Sequence, residues 1–233
     1  MNEKMNTISS IISGLNNIVN IKLDNRTQES SKIHHNKVIK IYVDNGFHLI
    51  RKDNKIYRDE IKEILKKSSF IIDNSYEFYN DSNQYFIIEE LYGSQRFPDF
   101  YLINKLNDKL LTLKLECKSG NKKIMWNDGC LCDDSIYLFT CTKLQKSILL
   151  PGDCRFLFSE EDRSNYNILL NQINEMNKWI KEKFNNSSFK PYIRKANNQT
   201  INLNNIDNNI LVKWNISINN KFNKFFYIKI NKI

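Results

Sequence analysis

Glycine and proline are scarce, with 6 and 3 in 233 residues. That scarcity excludes collagen-like repeats, elastin-like sequence and a long flexible linker. No run of about 18 apolar residues occurs, so no bilayer-spanning helix is expected. The opening Met1–Asn6 is polar and leads into no compact apolar stretch with a small-residue cleavage site, so no secretory signal is expected. Cysteines are few and odd in number: Cys117, Cys130, Cys132, Cys141 and Cys154. They do not form a disulfide framework, and a reducing, cytoplasmic setting is the simpler expectation. Acidic residues are also in deficit, 26 against 35 Lys and Arg, for a net charge of +9. Such an excess suits a polyanionic partner, either nucleic acid or an anionic membrane face.

What is present favours a packed core. Hydrophobic residues make up 41% and charged residues 26%, and the length fits one domain over 1–233. Asn, Lys and Ile are over-used, as AT-rich codons would produce, and no function is read into the Asn content. Residues 7–20 carry Ile8, Ile11, Ile12, Leu15, Ile18 and Val19 at helical spacing. Ile21 and Leu23 fall off that spacing and end the helix. A second helix is expected over about 33–45, stopped by Gly46, and a third over 57–68. Together they form a helical N-terminal part, about 1–68.

The period then changes. Strands are expected at 85–91, 96–103, 110–118 and 135–142, the last mostly apolar and therefore central. A long helix is expected over about 160–184, with Ile168, Leu169, Ile173, Met176 and Ile180 as its buried stripe and Trp179 beside it. Residues 120–134 read as irregular and 185–208 as mostly loop. Two strands, 210–218 and 225–230, close a β-containing C-terminal part over about 185–233.

The chemistry concentrates on two of these strands. An antiparallel hairpin turning near residue 107 places Asp99 opposite Glu116, since their midpoint is 107.5. Glu116 and Lys118 are two apart and share a strand face, while Leu111, Leu113, Leu115 and the Cys117 side chain share the other. Two carboxylates and an ammonium thus meet on one patch. Mg²⁺ prefers hard oxygen donors and often takes only one or two carboxylates. It offsets phosphate charge and acidifies bound water, and a lysine beside it can orient that water. The Cys117 carbonyl is a further candidate ligand. The competing reading is an exposed cross-strand ion pair.

Pro98-Asp99, then Glu116-Cys117-Lys118, resembles the PD-(D/E)XK nuclease motif. The wider run Gly93–Phe100, Leu115–Gly120 and Met125–Gly129 resembles type II restriction endonucleases. The likeness covers about residues 55–145, within a catalytic core of about 55–184. It implies an α/β fold with a mixed central sheet flanked by helices. It implies Mg²⁺-dependent, site-specific hydrolysis of double-stranded DNA leaving 5′-phosphate ends. Metal binding falls on Asp99 and Glu116, and catalytic assistance on Lys118. A homodimer matches a palindromic site, with a monomer nicking each strand as the alternative. Only the short segment 120–134 stands where many relatives have a full helix. The rivals are another nuclease on the same core, such as a junction resolvase or repair nuclease, and a non-catalytic DNA-binding module.

Several residues are candidates for contact with DNA. Lys122, Lys123, Trp126 and Asn127 follow the catalytic strand, and Ser94, Gln95 and Arg96 precede it. Lys190, Tyr192, Arg194, Lys195, Asn197, Asn198 and Gln199 form a second reading segment. Glu60 and Glu63 are weighed as accessory carboxylates against a solvated helix face. Cys130 and Cys132 lack a zinc-knuckle spacing. His34 and His35, adjacent on a helix, point two ways and are taken as surface residues.

Overall fold

The computed structural model describes residues 14, 17–23, 28–67, 75–93, 96–106, 109–121, 123–126, 135–151, 160–193 and 197–200. Helix α1 (Gln28–Asp44) leads to strand β1 (His48–Ile50), then to helices α2 (Lys55–Lys66) and α3 (Glu77–Asn80). Strands β2 (Tyr85–Glu89), β3 (Phe100–Leu106) and β4 (Lys109–Gly120) form an antiparallel meander. Next come β5 (Lys123–Trp126), β6 (Ser135–Cys141), β7 (Lys146–Pro151), helix α4 (Glu160–Lys183) and β8 (Asn197–Thr200). Six strands make one mixed sheet in the order β1-β2-β3-β4-β6-β7, parallel at β1–β2 and β4–β6. The chain is therefore α/β, with helices on both faces of a mixed sheet. Among the described residues no helix is long and apolar enough to cross a membrane.

Strand alternation divides the core in two. Ile87, Phe100, Leu102, Leu113, Leu115, Ile136 and Leu138 point to one face and pack against Val38 and Tyr42 of α1. Phe86, Ile88, Tyr101 and Ile103 point to the other and pack against Ile61 and Ile64 of α2 and Phe78 of α3. Side chains two apart share a face, so each strand serves both layers. Strand β6 lies inside the sheet between β4 and β7 and is buried at every position, on both faces.

Helix α1 ends as its glycine predicts. Gly46 takes φ +86°. Its N–H donates to Val43 O, and the Phe47 N–H donates to Tyr42 O. The Phe47 ring then stands 5.0 Å from Tyr42, edge to face. This closure satisfies orphan carbonyls and aims the chain into β1. Helix α2 begins at Asn54, whose side chain accepts the Tyr57 N–H at 3.1 Å.

Several expectations change. The strand expected from residue 96 starts only at Phe100, because Pro98 has no N–H to offer a ladder. Residues 123–126 and 197–200 are not loop but a two-stranded antiparallel sheet, β5 with β8. Helix α4 forms where expected, yet Ile168, Leu169, Met176 and Trp179 lie exposed, Trp179 at 52%. Periodicity marks which face of a helix is apolar, and only tertiary packing covers it. The N-terminal helix beyond residues 14 and 17–18 and the strands at 210–218 and 225–230 lie outside the described residues.

The two histidines are buried, not on the surface. They join Val38 and Tyr42 on the stripe that α1 lays on the sheet. His34 Nε2 lies 3.1 Å from Thr140 Oγ1, which is 2.7 Å from Ser147 Oγ. Ser147 in turn donates to Ile21 O at 2.6 Å. This polar chain ties α1 to β6, β7 and the segment before α1.

Two stability predictions follow from these buried groups. The Tyr42 hydroxyl is fully buried with no hydrogen-bond partner among the described residues. An unpaired buried hydroxyl costs about 1–3 kcal/mol. Tyr42→Phe should therefore raise unfolding stability by about 1 kcal/mol, measured in urea; a loss instead would mean that the hydroxyl has a partner. Burial lowers the pKa of His34 from 6.5 to about 4, with the neighbouring His35 charge adding to it. The folded chain keeps His34 neutral where the unfolded chain takes up a proton. Stability is then lost as pH falls from 6.5 toward 4, by about 3 kcal/mol in all. His34→Gln should remove that component, so the difference between the two stability curves isolates it. Parallel curves would refute the neutral, buried state of His34.

Candidate active site

Strand pairing brings the expected trio together. Every β3–β4 pair is symmetric about the same point, from Leu106 opposite Lys109 to Phe100 opposite Leu115. One further step places Asp99 opposite Glu116, as the hairpin arithmetic requires. Asp99 precedes the ladder, so its backbone and side chain are free to bond differently from strand residues. Its N–H donates to Glu116 Oε2 at 2.9 Å. Its own Oδ2 accepts the Cys117 N–H at 2.8 Å. Each strand's carboxylate thus holds the other strand's backbone, and the pair is locked in register. Lys118 Nζ lies 2.6 Å from Glu116 Oε1, with both side chains largely buried.

Electrostatics mark this patch. The Glu116 carboxyl is raised from 4.5 to about 7. Burial is the main cause and the Asp99 charge the second, with Lys118 and the Asp99 N–H pulling the other way. Cys117 packs against the α1-side core, as strand alternation predicts, and burial drives its thiol well above the ordinary value.

The residue that sequence reasoning missed is His35. From α1 it reaches Glu89 Oε1 through Nδ1 at 3.0 Å and lies 3.6 Å from Asp99 Oδ2 through Nε2. Burial works to lower its pKa, but Asp99 and Glu89 overcome that and hold it at about 9. At neutral pH His35 is an imidazolium between two carboxylates. Its ring also stands edge-on to Phe100, centroids 5.0 Å apart. The periodicity of His35, Val38 and Tyr42 carries the signal for burial, though not for its partners. Arg58 is the second omission. It falls in phase with Ile61 and Ile64 on the buried stripe of α2, and its guanidinium donates to the Glu89 and Glu90 carbonyls.

Among the described residues, two groups of side chains have ligand atoms close enough to share one ion: His35, Asp99 and Cys117, and His35, Glu89 and Glu90. Use of His35 as a ligand would first require loss of its proton. The weighed accessory carboxylates are engaged elsewhere. Glu60 accepts the Glu77 and Phe78 N–H groups and so caps α3. Glu63 accepts the Tyr76 hydroxyl and pairs with Lys67.

The two candidate reading segments meet through β5 and β8, with Trp126 opposite Asn197, Met125 opposite Asn198 and Ile124 opposite Gln199. Arg96 is exposed just before the Pro98-Asp99 pair. Ser94, Gln95, Lys122, Asn127, Arg194, Lys195, Cys130 and Cys132 lie outside the described residues, and of Lys123 and Trp126 only the backbone is described. No protein-family model, curated protein or solved structure matches this chain.

Proposed function

We propose that this chain is a Mg²⁺-dependent DNA endonuclease with a PD-(D/E)XK core, acting at a specific site as type II restriction enzymes do. The observation that carries the reading is the Asp99–Glu116–Lys118 convergence at the end of the β3–β4 hairpin. The donor set fits the ion. Asp99 and Glu116 offer hard carboxylate oxygens, and Glu116 is pushed toward its neutral form by burial beside a second negative charge. Such oxygens suit a divalent cation, which would offset the crowded negative charge. When bound, the ion supplies Lewis-acid charge to a phosphate and acidifies water.

The chain's own groups do the rest. Asp99 and Glu116 are held in place by each other's backbone contacts before any substrate arrives, so little reorganisation accompanies the reaction. Lys118 begins paired with Glu116. Its ammonium stands beside the carboxylate pair, where it would hold the attacking water or a phosphate oxygen. His35 keeps Asp99 oriented from the α1 side. The net charge of +9 favours a polyanionic substrate, and the β5–β8 ribbon, which pairs Trp126 with Asn197 in its register, is a candidate reading element. A two-fold pair of chains suits a palindromic site, so the acting species on this reading is a homodimer.

Digestion of a plasmid of known sequence tests the proposal. Discrete fragments with 5′-phosphate ends are expected in Mg²⁺ and none in chelator; a smear would point to a nuclease without sequence choice. Asp99→Ala, Glu116→Ala and Lys118→Ala should each lower the cleavage rate by about 10³-fold or more. Removing either carboxylate should leave metal-free DNA binding intact or tighter, because a charge facing the phosphate is gone. Cleavage in chelator, or any one of the three variants cutting at the normal rate, would refute this assignment.

A further inference from the structure

A second concentration of charge lies beside the carboxylate pair and takes no part in the chemistry above. A cavity of about 470 Å³ opens between α2 and the turn after β2. Its walls carry Lys52, Lys55, Arg58 and Lys62 against Asp59 and Glu90, four cations to two carboxylates. Both carboxylates are already paired, Glu90 with Lys52 and Asp59 with Lys62, each at 2.7 Å. Lys55 and Arg58 are the excess. Arg58 is buried and donates to the carbonyl oxygens of Glu89 and Glu90 at 3.1 and 2.6 Å, neutral acceptors that do not cancel its charge.

The position of the cavity matters as much as its sign. Residues 55, 58 and 62 fall on one face of α2, all toward the turn. The opposite wall is that turn, closed by the Gly93 N–H on Glu90 O at 2.9 Å, with Glu90 at φ +47° and Gly93 at φ +105°. The Glu90 N–H also donates to Asp99 O at 2.7 Å. One wall of the cavity is therefore bonded directly to the residue at the centre of the candidate active site.

We propose that this cavity binds a backbone phosphate of the nucleic-acid strand, a neighbour of the one that the Asp99–Glu116–Lys118 group attacks. The proposal rests on the nuclease reading. Clustered ammonium and guanidinium groups match a phosphate's oxygens, and the volume admits a phosphate with its sugar. The exposed Lys52–Glu90 and Lys62–Asp59 pairs cost little to open, so both lysines can turn to an incoming anion. Such a contact registers the strand without reading its sequence.

The test uses the full chain and a short DNA duplex in chelator, so that binding is read apart from cleavage. The double variant Lys55→Ala/Lys62→Ala should bind roughly tenfold more weakly at low salt, equally for all sequences. Its dependence of log affinity on log salt should flatten by about 1, for the one phosphate whose contact is lost. Lys55→Arg/Lys62→Arg should bind as the wild type does. Lys40→Ala, on the opposite face of the sheet, should keep the full slope. Circular dichroism confirms that each variant is folded. Wild-type affinity and slope in the Ala double variant would overturn the phosphate cavity while leaving the nuclease reading intact. Failure of the wild type to bind duplex would overturn both. Inorganic phosphate is the second probe, and thermal stabilisation by it as large as by duplex at equal ionic strength would give the cavity to a free phosphate and overturn the strand assignment.

Discussion

The reciprocal bond between the Pro98-Asp99 segment and the Glu116-Cys117 step is the interaction on which the rest depends. Asp99 gives its N–H to the Glu116 carboxylate and receives the Cys117 N–H in its own. Neither bond belongs to the sheet ladder. They replace it where Pro98 prevents further pairing, and they hold two like charges close together. A single-residue slip of β3 against β4 would exchange the two faces of the sheet and separate these groups. Register, core and site are therefore set by the same pairing.

Bringing carboxylates together in a buried place has consequences throughout the neighbourhood. Glu116 is pushed toward its neutral form, and Lys118 stands against it. His35 is held charged between Asp99 and Glu89. Arg58 is drawn under the Glu89–Glu90 carbonyls. The helices on the two faces of the sheet each send one cation to the same strand ends, α1 from one side and α2 from the other.

Much of the site was legible because it is local. The hairpin partners follow from counting about a turn, and the faces of Glu116, Cys117 and Lys118 follow from the strand period of two. Burial of His34 and His35 is carried by their phase with Val38 and Tyr42, which adjacency on a helix does not show. Trp126 and Asn197 were singled out separately, but nothing in either segment announces that they pair. Helix α4 shows the opposite case: its apolar stripe is plain in the sequence, and its exposure is not.

The sequence by itself determined the strand and helix periods, the symmetry of the hairpin, the basic excess and the Asp99, Glu116 and Lys118 trio. Each depends on neighbours in the chain or on composition. The tertiary structure alone decided that His35 meets Glu89, 54 residues away, that β5 finds β8, and that Arg58 lies beneath the turn carrying Glu90. The physical reason is that a periodic pattern specifies which face of an element is apolar, whereas the choice of the face it meets rests on packing and on the partners that buried charges require.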